Sequence, residues 1–218
     1  MLSATRRMQQ RAEQLEAQLG QSARQIEFLR TDLASAQREA NTDSLTGIAN
    51  RKYFDHELYA AAEEAMATGQ PLCLLLADID HFKQFNDTFG HQIGDQVLRL
   101  VAQVLTRSIK GRDLAARYGG EEFAIILPDT DLDGAYTLAE QIRATVAGNR
   151  IRSKPDGADL GRITMSIGCA RYIPEEPLTD LIQRADDALY RAKRAGRNRV
   201  LVAEAALEFF APSAFTGV

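Results

Sequence analysis

The chain has 218 residues, 45% of them hydrophobic and 26% charged, and carries a formal charge of −4 at pH 7. That balance fits one globular domain with an appendage and excludes bulk electrostatic attraction to nucleic acid or to an anionic membrane surface. No apolar run reaches the roughly 20 residues of a spanning helix, and the N-terminus lacks a signal-peptide apolar core, so a cytoplasmic protein with no membrane segment is expected.

Residues 1–42 differ in composition from the rest, being rich in Gln, Ala, Arg and Glu with only Gly20 as an interruption. Reading every three then four residues gives Met8, Ala12, Leu15, Leu19, Ser22, Ile26, Leu29, Leu33, Ala36 and Ala40, an unbroken a/d series. A sustained period of 3.5 predicts a left-handed coiled coil, because a lone helix with such a stripe has nothing to bury it against. The expected assembly is a parallel two-stranded homodimer, a rod on the order of 50 Å long, in which Arg11 at a g position meets Glu16 at the e position of the other chain. Gly20 and Ser22 are the weak points of the seam.

Asn41-Thr42-Asp43-Ser44 breaks the heptad with capping-type residues, and a structured turn follows to Asn50. A helix is predicted from Lys52 to Thr68, stopping at Gly69. Pro71 then opens a continuous apolar run, Leu72 to Ala77, long enough for a strand buried on both faces and ending in Asp78-Ile79-Asp80. Phe82 to Asn86 suits a short helix whose exposed amides can hold phosphate oxygens. A longer helix is predicted from Ile93 to Ile109, with Val97, Leu98, Val101, Val104 and Leu105 on one face.

Arg117-Tyr118-Gly119-Gly120-Glu121-Glu122-Phe123 lies between two apolar runs and predicts a tight hairpin over Asp113 to Leu127, closed by Pro128. Gly119 and Gly120 are expected to take positive φ and to leave room for a bulky partner beside the main chain. Glu121 and Glu122 then project at the end of a rigid ribbon. Carboxylates are costly to bury without a positive neighbour, and a divalent cation held between Asp78 and Glu121 would supply one.

A helix from Leu132 to Val146 and a strand from Arg162 to Tyr172 come next. Leu178 to Ala195 is an amphipathic helix with Leu178, Leu181, Ile182, Ala185, Ala188, Leu189 and Ala192 facing inward, and Arg199 to Val202 is a final strand. Cys73 and Cys169 both fall in apolar runs and read as buried reduced thiols. The tail from Ala205 contains Phe209, Phe210 and Phe215 without a period. Interleaved helices and strands with an antiparallel hairpin predict an α+β fold around a mixed central sheet.

These motifs together resemble the GGDEF family of diguanylate cyclases, in its GGEEF spelling. Asp43-Ser44-Leu45-Thr46-Gly47-Ile48-Ala49-Asn50-Arg51 looks like the family's opening segment. Asp78-Ile79-Asp80-His81-Phe82-Lys83 with Asn86-Asp87, then Phe89-Gly90-His91-Gln92-Ile93-Gly94-Asp95, and finally Tyr190-Arg191-Ala192-Lys193 with Gly196-Arg197-Asn198 follow in the family's order. The resemblance implies a nucleotidyl-cyclase or palm-like sheet over 43–203, preceded by a coiled-coil signalling helix over 1–42 and followed by a tail over 204–218.

What else the resemblance implies is an activity: condensation of two GTP into cyclic di-GMP and two pyrophosphates across two facing domains. Asp78, the carbonyl of Ile79 and Glu121 would hold Mg²⁺, with Mn²⁺ as a substitute. Glu122 would assist a second metal or deprotonation, and Lys83 would steady the transferring phosphoryl group. Asn86 and Asp95 would contact guanine, with His91 beside them, and Phe82, Gly119 and Gly120 would line the substrate. Lys193 and Arg197, four apart and on one face of a helix that reaches both, would hold the β- and γ-phosphates. Asp80 is as well suited to bonding nearby main chain as to touching metal.

One departure is at the inhibitory product site, where the family's R-x-x-D is Lys110-Gly111-Arg112-Asp113 here. Lysine cannot reproduce the two-pronged grip of arginine, so tight product inhibition is not expected. The alternative reading is a catalytically silent nucleotide-binding module acting through its coiled coil. An upstream sensor domain or protein is a further expected partner.

Overall fold

The computed structural model describes residues 2–152 and 159–203, with side-chain environments from residue 18 onward. It divides between Thr42 and Asp43 into two compact units. The first is helix α1, Leu2–Asn41, which runs through Gly20 and Ser22 without a break. Along it Leu19, Ile26, Leu29 and Leu33 are all more than half exposed in the single chain. Their a/d spacing sets them along one apolar stripe of the helix. Met8, Ala12, Leu15 and the Arg11–Glu16 pair lie outside the residues whose side chains are described, as does the phenylalanine-bearing tail.

In the second unit a short strand β1, Ala49–Asn50, leads into α2, Arg51–Thr68. Asn50 caps that helix by accepting from the Tyr53 N–H at 2.9 Å, and Gly69 ends it in the left-handed conformation. Then come β2 (Leu72–Ile79), α3 (Phe82–Phe89), α4 (His91–Ser108), β3 (Leu114–Arg117), β4 (Glu122–Pro128) and α5 (Leu132–Gly148). A small hairpin of β5 (Arg150–Arg152) and β6 (Asp159–Arg162) precedes β7 (Met165–Arg171), α6 (Leu178–Arg194) and β8 (Val200–Val202).

The main sheet has the order β1-β3-β4-β2-β7-β8, antiparallel at its centre and parallel at both margins. This is the mixed sheet expected from the interleaved pattern. Every residue of β2 is buried, because the strand is central and both faces are covered. Alternation sorts the apolar residues by face. Cys73, Leu75, Ala77 and Ile79 join Phe123, Ile125 and Leu127 of β4 against α4 and α5. Leu72, Leu74 and Leu76 join Ala124 and Ile126 against Phe54 and Leu58 of α2 and Leu181, Ala185 and Leu189 of α6.

Gly168 of β7 sets how closely α6 lies on the sheet. A Cβ there would stand 2.0 Å from the Ala185 carbonyl oxygen and 2.4 Å from the Leu189 nitrogen. Helix backbone rather than side chain fills that space, so no rotamer change could make room. The close approach brings the C-terminal end of α6 beside the tip of β2.

Candidate active site

The site is built at the ends of three adjoining strands. β2 and β4 pair in antiparallel register with Asp78 opposite Glu122, and the Ile79 N–H donates to the Glu121 carbonyl at 3.3 Å. Both glutamates therefore begin within one residue of Asp78. Asp78 is only 6% exposed, while Glu121 is half-buried and Glu122 exposed.

Burial pushes the Asp78 carboxyl above its ordinary range; Lys193 pulls it down, and the charges of Glu122 and Asp80 push it up again. Glu121 is also raised, first by burial and then by the charge of Asp78, with Lys193 opposing. The protein thus holds carboxylates together at a cost, offset by one ammonium: Lys193 Nζ lies 2.9 Å from Asp78 Oδ2. Such oxygen donors fit a hard divalent cation. Among the described residues no three His, Cys, Asp or Glu side chains gather as a metal cage.

The hairpin forms over β3 and β4, but Gly119 and Gly120 do not take positive φ. The expectation of left-handed glycines fails because the turn is closed differently. Tyr118 and Gly119 both donate their N–H to the Glu122 carbonyl, at 2.9 and 3.2 Å. The Arg117 guanidinium meanwhile grips the Gly120 carbonyl through Nε and Nη2, at 3.2 and 2.8 Å. What the missing Cβ of Gly119 makes room for is the Glu122 carboxylate, whose Oε2 would lie 2.4 Å from it. Beside Gly120 the space is open.

Arg117 also donates through Nη1 to both carboxylate oxygens of Asp43, each at 3.2 Å. Burial pushes Asp43 up, but bonds from the Thr46 hydroxyl and N–H and from Arg117 outweigh it and hold the carboxyl below its usual range. The opening motif is thereby tied to the acidic turn through one guanidinium. Sequence reasoning assigned no task to Arg117, although its place beside the paired glycines was a signal.

Asn86 of α3 lies beneath the first turn of α4. Its Oδ1 is buried without a hydrogen-bond partner and would stand 1.8 Å from a Cβ at Gly94. The unpartnered oxygen packs against Gly94, and Asp95, the next residue, is half-buried. His91 and Lys83 are exposed. The Phe82 ring goes into the core, 5% exposed, so what this position offers a ligand is its backbone.

Lys193 and Arg197 do not share a helix. α6 ends at Arg194, and Arg197 follows in a turn with φ of 60°, its N–H donated to the Ala192 carbonyl at 3.1 Å. Gly196 allows that turn, which overrides the helical spacing. Asp80 turns away from a ligand role. Its Oδ1 accepts from the Ser166 hydroxyl at 2.7 Å, and its Oδ2 from the Thr164 hydroxyl at 2.7 Å and the Asn198 N–H at 3.0 Å. In the degenerate product-site motif Lys110 is exposed and forms a turn with Asp113. Arg112 is engaged by Glu64 and, at 3.4 Å, by Asp129.

Residues 40–199 match the family described as diguanylate cyclase, GGDEF domain. The chain belongs to the GGDEF family. It is 42% identical over 182 residues to the response regulator PleD of Caulobacter vibrioides, covering 83% of this chain and 40% of that protein. To the diguanylate cyclase VdcA of Vibrio cholerae it is 40% identical, over 86% of this chain and 54% of that one. The chain thus spans roughly half or less of these relatives' length. A crystal structure of the coiled coil and GGDEF domain of DgcB from Caulobacter crescentus, in complex with c-di-GMP, superposes with a TM-score of 0.81. It is 48% identical and is matched over 87% of this chain and 99% of that one. In this chain the helix α1 precedes the domain, and no helix among the described residues is long and apolar enough to cross a membrane.

Proposed function

We propose that the chain is a diguanylate cyclase that condenses two GTP into cyclic di-GMP with release of two pyrophosphates. The observation that carries this reading is the β2–β4 register, which sets Asp78 opposite Glu122 and bonds the Ile79 N–H to the Glu121 carbonyl, so that the acidic residues start from adjoining strand ends. Burial raises Asp78 and Glu121 above the ordinary carboxylate range. Asp78, the Ile79 carbonyl and Glu121 are the donors for Mg²⁺, or Mn²⁺ in its place. Such an ion, when bound, neutralises phosphate charge and makes a hydroxyl easier to deprotonate.

The chain's own groups do the rest. Asn86 and Asp95 select guanine, since a carboxylate suits the N1–H and N2–H₂ donors of its Watson–Crick edge and an amide can pair with either kind of group. His91 flanks them. Lys83 and the first amides of α3 meet phosphate oxygens as negative charge shifts toward the leaving pyrophosphate. Lys193 exchanges Asp78 for the β- and γ-phosphates, which Arg197 holds from the following turn. Glu122 stands next to Glu121 at the face where the incoming 3′-hydroxyl loses its proton.

One domain offers one nucleotide site and the product contains two nucleotides, so the catalytic unit is a pair of domains, 43–203 of each chain. The seam over 1–42 supplies the pairing as a parallel coiled coil, its exposed Leu19, Ile26, Leu29 and Leu33 meeting their counterparts. Tethering raises the effective concentration of half-sites without any new contact between them. The tail, 204–218, is left without a role. Because lysine stands at position 110 and Arg112 is committed to carboxylates, the product binds weakly at the inhibitory motif.

Incubation with GTP and Mg²⁺ followed by chromatography tests the reading. Cyclic di-GMP and pyrophosphate are the expected products; unconsumed GTP at micromolar enzyme overturns it.

A further inference from the structure

Three consecutive residues after α6 take left-handed backbone: Gly196 at φ 111°, Arg197 at 60° and Asn198 at 46°. Glycine does so freely, but the other two adopt a backbone that L side chains take rarely and that persists only when its surroundings hold it. The surroundings here are specific. The Asn198 N–H donates to Asp80 Oδ2, and the Asn198 side chain accepts from Arg143 Nη1 of α5 at 2.8 Å. Asp80 is 6% exposed and is itself aimed by the Thr164 and Ser166 hydroxyls, Ser166 being wholly buried.

We propose that Asp80 is a positioning residue for the triphosphate: it clamps the 196–198 turn and so aims Arg197 at the β- and γ-phosphates. The inference rests on the assignment of Arg197 given above. Asp80 has two carboxylate oxygens engaged by three donors, all from elements other than its own. One oxygen takes a hydroxyl of β7, and the other takes both the hydroxyl before β7 and the amide of the turn. A carboxylate accepts all three with full negative charge; a carboxamide keeps the shape and can turn its NH₂ to the Ser166 hydroxyl, but its oxygen is neutral, so the bond to the turn loses its charge assistance. The acid two residues beyond Asp78 thus acts on the leaving-group end of the nucleotide through main chain. The metal end is left to Asp78 and Glu121.

The test is calorimetric titration of the full chain with GMP and with a non-reactive α,β-methylene analogue of GTP, for the wild type, D80N, R197A and the double variant. D80N is expected to weaken the triphosphate about tenfold, the worth of one charge-assisted hydrogen bond, while leaving GMP unchanged. In the R197A background D80N should add less than twofold, since the clamp then aims nothing. Equal losses for GMP and the triphosphate, or full additivity with R197A, would overturn the proposal. Should D80N fail to fold by thermal melt, S166A removes one donor to Asp80 and is expected to give a two- to threefold loss confined to the triphosphate. An S166A loss shared by GMP also overturns it. A flat R197A overturns both this inference and the phosphate assignment beneath it, whereas a damaged R197A beside an intact D80N sinks the clamp alone.

Discussion

Lys193 Nζ stands 2.9 Å from Asp78 Oδ2, an ammonium at the end of α6 set against a buried carboxylate at the end of β2. Burial outweighs that attraction, since the Asp78 carboxyl remains above its ordinary range. The charged form of Asp78 therefore costs stability. D78N should abolish cyclic di-GMP synthesis and raise the melting temperature of the metal-free protein by about 2–4 °C, the shift that ~1 kcal/mol gives in a domain of this size. A lowered melting temperature in differential scanning calorimetry would count against it.

The raised values of Asp78 and Glu121 also fix a pH dependence. The folded state holds these protons more tightly than the unfolded chain, so their contribution is fully present below the ordinary carboxylate range and is lost as pH rises through the raised values. The proposed divalent cation would bind the deprotonated pair, and its effect would have the opposite trend. Mg²⁺ at a hundredfold excess over its Kd should stabilise by about 2.7 kcal/mol at pH 8 and by much less at pH 5. Thermal melts with and without Mg²⁺ at the two pH values check this, and equal increments would refute it.

Arg117 joins Asp43 to the Gly120 carbonyl with donors spread over three nitrogens. A lysine has one ammonium and cannot serve both partners at that geometry. R117K is expected to lower kcat about tenfold with little change in KM, because the turn that carries Glu121 loses its hold on the opening motif. Steady-state kinetics with GTP would read this, and a rise in KM at constant kcat would contradict it.

Gly168 permits α6 to lie against β7, and G168A places a methyl group where helix backbone now stands. The expected loss is about 3 kcal/mol, at the upper end of overpacking costs. Urea unfolding measures it, and a loss below ~1 kcal/mol would mean that α6 can lift without penalty.

Asp95 follows Gly94, against which the unpartnered Asn86 oxygen packs. D95N removes the acceptor suited to the guanine edge while keeping the shape. The GTP-to-ATP ratio of kcat/KM should fall by at least tenfold, as when a site's polar partner is left unmatched. Competition assays with both nucleotides decide it.

The parts of this molecule governed by period or by local chemistry were legible in the sequence. The apolar run ending at Asp78, the acidic hairpin, the inward face of α6 and the heptads of α1 all follow from side-chain patterns. What escaped was set by tertiary contact. β5 and β6 carry little apolar alternation. α3 and α4 each run further than expected, α3 to Phe89 and α4 back to His91, because Gly90 alone separates them. The particular partners of Asp80 (Thr164, Ser166 and Asn198), of Arg117 (Asp43) and of Gly168 (Ala185 and Leu189) lie 17 or more residues away, beyond the reach of a local pattern. The glycines of the hairpin were misread for a related reason, since Arg117 and the Glu122 carbonyl close that turn without left-handed backbone.

β2 is laddered on both sides, to β4 and to β7, over nearly its whole length. Its amides should exchange with deuterium only when the entire domain opens, so the acidic end of the molecule is among the last places to loosen. Control of such a site cannot come from melting it. On the proposed two-domain reading it would come from outside the sheet, through whether a second half-site arrives opposite it.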